Sequence, residues 1–277
     1  MWAQSGCVGD LDRTTTAALS LLFCAALGAL ADGPASLGGA PLDAVFDDAS
    51  PSVADGPCTV PRRSAPLPLA EFRSVYKGRH PVVFPSPPSA AARSALNFSS
   101  LLAAYGELPV TLASSNAFSH AKMESTLSAY LRHHMAPVTP ADRADKLWYL
   151  FGDTLKTEAW APLHATFTLP LDAAADDPVV AWGVGGLHSG VPFHRHGAVY
   201  AESVLGSKRW WLAPPGEGPT FDGNATQLSF VLGGGGAGVA ACTVREGEAI
   251  YIPSDWWHAT LNLASYNAFT SVFVREV

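Results

Sequence analysis

The chain has 277 residues, 48% of them hydrophobic and 15% charged, which excludes a disordered polymer and suffices for one or two packed domains. Lys+Arg 17 against Asp+Glu 24 gives a formal charge of −7, so no general attraction to nucleic-acid backbones or anionic membranes is available. Gly 25 and Pro 22 mark many turns without reaching low-complexity composition.

Residues 1–31 read as a secretory signal peptide. After Arg13 an apolar run, strongest from Ala17 to Ala31, ends in the small-x-small pattern Ala29-Leu30-Ala31. It is shorter than the roughly 20 residues a spanning helix needs, so a cleaved leader and no stable membrane span are expected. The compartment is then oxidising. Cys7 and Cys24 fall in the leader, leaving Cys58 and Cys242, for which a disulfide is the expectation. Two sequons, Asn97-Phe98-Ser99 and Asn224-Ala225-Thr226, fit glycosylation in the same pathway. The C-terminus carries no KDEL-type retrieval signal.

Residues 32–66, rich in Gly, Pro, Ala, Ser and Asp without a sustained period, read as a linker or loosely ordered arm. An α/β lead-in is expected over 67–177. Leu69, Phe72 and Tyr76 stand at helical spacing and predict a helix over 69–76. A short strand bounded by prolines follows over 80–85. Residues 97–106 predict a helix ending at a glycine, 110–112 a strand, and 126–135 a third helix with Leu127, Tyr130 and Leu131 on one face. β character resumes over 146–151.

From 178 to 277 the pattern is short β runs broken by Gly and Pro, at 179–182, 191–196, 200–205, 208–213, 241–245, 249–252, 258–263 and 268–274. Such spacing predicts an antiparallel sandwich or small barrel. The glycine run within 233–238 lacks a following Lys-Ser/Thr and opens no helix, so it reads as a flexible loop and not a phosphate loop.

The chemistry gathers on histidines. His194 and His196 stand two apart, and on a strand such residues face one side about 6.6 Å apart, the spacing of two ligands to one ion. His258 supplies a third imidazole after the aromatic pair Trp256-Trp257. Imidazole suits Zn, Cu, Fe and Ni. Gly247, Pro253, His258 and Asn262 resemble the second signature of the cupin superfamily, with Asp255 where a glycine usually sits. The first cupin signature is approximated by His194, His196, Glu202 and Gly206, with Glu202 either a fourth ligand or a carboxylate facing solvent. In each tryptophan pair, Trp210-Trp211 and Trp256-Trp257, strand alternation is expected to bury one ring and leave the other at a surface or interface. His120, His133, His134, His164 and His188 have no partner pattern.

At these positions the chain resembles the JmjC family. The resemblance is carried by 193–196 (Phe-His-Arg-His), 205–215, 246–253 and 256–258 (Trp-Trp-His), and extends through 56–60, 69–72, 151–153, 190–194, the Asn224 sequon and 242–244. It implies a JmjC/cupin double-stranded β-helix over 178–277, binding Fe(II) and 2-oxoglutarate to hydroxylate protein side chains or demethylate lysines. It also implies His194, His196 and His258 as metal ligands, with Lys208 holding the far carboxylate of 2-oxoglutarate, a role suited to a point charge with three donors.

One departure changes the chemistry. The middle ligand of the family is an acid, and here it is His196. Three neutral imidazoles leave a divalent ion at its full charge, which alters metal preference and iron potential. Three histidines with an open position also describe zinc, the alternative metal. Val191 replaces a hydroxyl residue that often assists 2-oxoglutarate. Two functions follow as expectations: an oxygenase of the endoplasmic reticulum lumen acting on a protein substrate, or a non-catalytic module of the same compartment binding a protein partner. Neither involves nucleic acid.

Overall fold

The computed structural model describes residues 55–152, 158–216, 218–236 and 238–275. The expected leader, residues 32–54 of the expected arm, and Asp153 lie outside them.

Two antiparallel sheets form the body. In chain order the strands are β1 (Val82–Pro85), β2 (Pro109–Ser114), β3 (Lys122–Thr126), β4 (Trp148–Phe151), β5 (Val179–Gly186), β6 (Val199–Leu205), β7 (Ser207–Ala213), β8 (Ala240–Arg245), β9 (Glu248–Ile252), β10 (Trp257–Asn262) and β11 (Tyr266–Phe273). The major sheet runs β1-β9-β6-β11-β5-β4-β2-β3 and the minor sheet β10-β7-β8. This is the double-stranded β-helix, its larger sheet extended by strands of the lead-in.

Alternation decides the faces. On β6, Val199 and Ala201 turn inward with Trp210, Leu212, Val244, Ile250 and Ile252 to fill the space between the sheets. Tyr200 and Val204 turn outward beneath the helices. There, helix α1 (Leu69–Glu71) runs on as a π-helical turn over Phe72–Tyr76, setting the Phe72 ring 4.9 Å from Tyr251 edge-on. Helices α2 (Ala90–Leu96) and α3 (Phe98–Tyr105) are capped by Ser89 and Asn97, whose side chains accept backbone N–H groups. Helix α4 (Leu127–Ala129), continued as a π-helical turn over Tyr130–His134, buries Leu127 and Tyr130 beside Trp160 and Trp182.

The outer face of the minor sheet is covered as well. The insertion 214–239 carries helix α5 (Gln227–Leu232), and Leu228 packs with Trp211, Ala259 and Leu261. That cover corrects the expectation for the first tryptophan pair: Trp210 faces the interior and Trp211 the insertion, and both are buried. In the second pair both rings are half-buried. The glycines after α5 border a surface cavity of about 430 Å³ with Phe230 and Ala213, on the side of the minor sheet away from its histidine.

The expected strand over 191–196 is only partly one. Its ladder to β10 survives in bonds from Asn262 N–H to Ser189 O (2.8 Å), Thr260 N–H to Val191 O (2.9 Å) and the reciprocal pair His194–His258 (3.0 and 2.9 Å). Pro192 cannot donate, which breaks regularity. Gly190 passes so close to β10 that a Cβ there would stand 1.9 Å from the Thr260 carbonyl oxygen.

Residues 55–63 form a strap across the seam between the sheets. Thr59 N–H donates to Ala241 O at 2.8 Å on edge strand β8, while Val83 N–H donates to Pro61 O (2.9 Å) and Arg63 N–H to Val83 O (2.8 Å) on edge strand β1. The buried Arg209 guanidinium donates to the carbonyls of Gly56 (2.7 Å) and Pro57 (3.0 Å). A disulfide joins Cys58 in the strap to Cys242 on β8, as the cysteine count predicts.

Candidate metal centre and the buried lysine

Strand pairing sets the site. On the inner face of the minor sheet His258 stands opposite Leu212, Thr260 opposite Trp210 and Asn262 opposite Lys208. The His194–His258 bridge brings the first imidazole alongside the third. His196 is positioned by a second contact: its carbonyl accepts the Asp255 N–H at 2.9 Å. Asp255 adopts a left-handed conformation, φ 63°, which explains why this turn favours glycine in the cupin signature and tolerates aspartate here.

The ligating nitrogens of His194, His196 and His258 lie within 4.8 Å of one another. Every Nδ1 is against a backbone carbonyl: Pro192 O at 2.9 Å for His194, Gly197 O at 2.8 Å for His196 and Trp256 O at 2.9 Å for His258. A carbonyl only accepts, so each Nδ1 carries the proton and each Nε2 turns a lone pair inward. Burial, then the neighbouring imidazole His196, pulls the pKa of His194 down to about 4. Burial also lowers His196, and burial followed by the other two rings holds His258 well below the ordinary histidine value. All three are therefore neutral bases, the form that binds metals. The set fits a divalent ion, but as three neutral nitrogens and not as two nitrogens and a carboxylate.

Glu202 is not the missing carboxylate. It sits on β6 between the inward-facing Ala201 and Ser203 and so projects to the other side of the sheet, where Thr270 Oγ1 donates to it at 3.3 Å. It does not face solvent either; it is buried, and burial raises its pKa. Both readings of Glu202 are corrected by the pleat.

Lys208 is buried on the interior face, with Nζ 3.1 Å from the ring centroid of Phe269 and 5.9 Å from that of Trp210. Among the described residues it has no hydrogen bond or ion pair, and burial lowers its pKa to about 7. Opposite it, Asn262 donates through Nδ2 to Ser189 Oγ at 2.9 Å, while Asn262 Oδ1 and Trp210 Nε1 are buried without partners. Buried polar atoms left unmatched are costly. A lysine, an indole N–H and an amide oxygen on one face thus offer two donors and an acceptor to a small polar anion. Asn262 appears in the sequence only as a signature position, and Phe269 and Trp210 carried no polar signal at all.

The remaining predicted positions lie apart. Asn97 caps α3, and Asn224 accepts a hydrogen bond from the buried Asn116 at 3.0 Å. His120 stacks on the exposed Phe118 at 5.1 Å. Among the described residues only the His194, His196 and His258 cluster has metal-ligating geometry.

An antiparallel double-stranded β-helix with a His-x-His pair, a third histidine on the adjacent strand β10 and a buried interior lysine has the architecture of a JmjC barrel, and the chain belongs to the JmjC family. It is 36% identical over 224 residues to JmjC domain-containing protein 8 of Rattus norvegicus, covering 78% of this chain and 81% of that protein. The human protein of the same name is also 36% identical, with 78% and 82% covered. Lysine-specific demethylase JMJ21 of Arabidopsis thaliana is 27% identical over 75% of this chain but only 24% of its own length. No family model matches the chain.

Proposed function

We propose that this chain is a JmjC protein of the endoplasmic reticulum lumen in which His194, His196 and His258 hold a divalent metal. Lys208 receives the far carboxylate of 2-oxoglutarate, and a protein side chain is the substrate. One observation carries the reading: three imidazoles whose protons are all parked on backbone carbonyls, leaving three lone pairs aimed at one point. Bound iron would activate dioxygen, the oxidant, with 2-oxoglutarate giving two of the four electrons and the substrate the other two, for hydroxylation or demethylation. The chain's own residues do the rest. The carbonyls of Pro192, Gly197 and Trp256 fix the ring orientations, Lys208 and Trp210 Nε1 donate to a carboxylate, and Asn262 Oδ1 accepts from a protonated neighbour or water.

The compartment is supported by the Cys58–Cys242 disulfide, which suits oxidising conditions, together with the signal-peptide pattern and the sequons at Asn97 and Asn224. No helix among the described residues is long and apolar enough to cross a membrane. The relative from Arabidopsis bears the name of a lysine demethylase, which supports chemistry on protein side chains.

Anaerobic titration of the purified protein with Fe(II) and 2-oxoglutarate tests this directly. A visible charge-transfer band that disappears in Lys208→Ala is the expected result.

A second reading is favoured by His196. With no carboxylate in the triad, a bound ion keeps its full charge, and three imidazoles also suit zinc. The barrel would then be a protein-interaction module with a structural metal. Zinc found by elemental analysis of natively purified protein, with a flat spectrum in the iron titration, would support it. Gain of 2-oxoglutarate turnover in His196→Asp would identify the natural triad as a relic of an active one.

A further inference from the structure

Lys208, to which the proposed function gives the dicarboxylate, is covered. The Phe269 ring lies over its ammonium, with Nζ 3.1 Å from the centroid. Three features of the fold set the ring there. Regular alternation along β11 turns Phe269 to the same side as Phe273, and on neighbouring β6 the extra residue Val204 sets Ser203 opposite the ring. Asn267, two residues before the ring, pins this part of β11, accepting Ser207 N–H at 3.0 Å and donating to Ala264 O at 2.7 Å. Across the ladder on β5 stands Gly183, where a Cβ would lie 2.7 Å from Phe269 Cζ and 2.7 Å from the Leu150 carbonyl. Room for the ring therefore depends on that glycine.

The ring is also linked to the metal centre. Phe151 stacks 5.6 Å from Phe269 and lies 6.2 Å from Phe273, which in turn meets His196 at 5.1 Å. One aromatic row leads from the triad to the lysine.

We propose that Phe269 is a displaceable plug on Lys208 that selectively holds down the affinity for dicarboxylates at this site; the inference rests on the Lys208 site of the proposed function. A desolvated ammonium gains from an aromatic face, but a charge-assisted bond to a carboxylate is stronger. A ligand long enough to reach from the triad to Nζ with a second carboxylate exchanges the weaker contact for the stronger one. A 2-oxo monocarboxylate binding only at the triad has nothing to exchange, and it leaves the ring in place.

The test measures binding of 2-oxoglutarate and pyruvate to the Zn(II)-loaded full chain, by calorimetry and by tryptophan fluorescence, which Trp210 beside Lys208 reports. Phe269→Ala should tighten 2-oxoglutarate roughly tenfold or more by removing the competing contact, with pyruvate unchanged. Phe269→Leu, which keeps apolar bulk but no π face, should tighten it less. The gain should vanish when Lys208→Met is added. If wild type binds 2-oxoglutarate and neither folded Phe269 variant binds it more tightly, the plug is wrong and the pocket stands. An equal gain for pyruvate overturns the selectivity. Failure of every variant, Phe269→Ala included, to bind 2-oxoglutarate overturns the pocket itself, and the plug with it.

Discussion

His196 and His258 point their Nε2 atoms at each other across 3.0 Å. Neither nitrogen donates, because each ring has its proton on Nδ1, held by the carbonyl of Gly197 or Trp256. Two lone pairs at that distance repel, and the apolar walls of Phe273 and Trp210 intensify the repulsion. A cation between the rings turns the same arrangement into attraction. The triad is therefore an energetic debt in the folded chain that a metal ion settles.

Metal should stabilise the fold accordingly. At about 100 times its dissociation constant an ion adds about 2.7 kcal/mol. For a chain of this size that raises the melting temperature by about 5–10 °C. Differential scanning calorimetry with Zn(II) should record the rise, a chelator should reverse it, and His258→Ala should lack it. An equal rise in His258→Ala would place the ion elsewhere.

The ammonium of Lys208 should make stability depend on pH in the alkaline direction. Its pKa falls from 10.5 to about 7 on folding, through burial. Between those values the unfolded chain binds a proton that the folded chain does not, so stability rises with pH across that window and the penalty is complete below it. Lys208→Met should stabilise the protein by roughly 2–4 kcal/mol at pH 6, with the gain fading towards pH 10. Urea midpoints at the two extremes measure this. A gain that does not change with pH would mean that the methionine acts through packing alone.

Asp172 should act in the acid direction. Arg73 grips it through two bonds, Nη2 to Oδ1 at 2.6 Å and Nε to Oδ2 at 2.9 Å, and Lys77 adds a third at 3.1 Å. The Arg73 bonds lead in lowering its pKa to about 2 against the opposing effect of burial, with Lys77 assisting. A depressed carboxylate gives stability that is present above pH 4 and lost as pH falls towards 2. Asp172→Asn should cost about 1–2 kcal/mol at neutral pH, discounted because Arg73 is half exposed, and should flatten the acid limb of the stability curve. An unchanged acid limb would assign it to other carboxylates.

Opening the disulfide should weaken the fold by more than any surface pair. It closes a separation of 184 residues, for which chain entropy predicts up to about 5 kcal/mol. Urea unfolding with and without a thiol reductant reads the loss directly. Equal midpoints, with both thiols shown free by mass mapping, would mean that the strap's hydrogen bonds alone hold the seam.

The sequence made the barrel strands and the histidine triad legible because both depend on local repetition: short β runs between turns, and two imidazoles one pleat apart. Elements whose stability comes from elsewhere were not legible. β3 (Lys122–Thr126) has no apolar alternation and exists by pairing with β2 at a sheet edge. α2 follows Pro87 and Pro88, a context that reads as loop until Ser89 is seen to cap it. The interior around Lys208 was legible only in part, since the sequence marks the lysine but not the long-range strand pairing that lays Phe269 over it. Glu202 shows the opposite failure. Its residue type and rough position suit a ligand, but whether position 202 faces inward depends on strand register, which no local pattern fixes.

The strap has a consequence for biosynthesis. During synthesis Cys58 emerges early, yet its partner follows 184 residues later, about 10–40 s at ordinary elongation rates. Through that interval Cys58 waits for its partner and the strap cannot bridge β1 to β8, so the described segment made first is the one fastened last. Closure of the disulfide is thus paced by the arrival of β8.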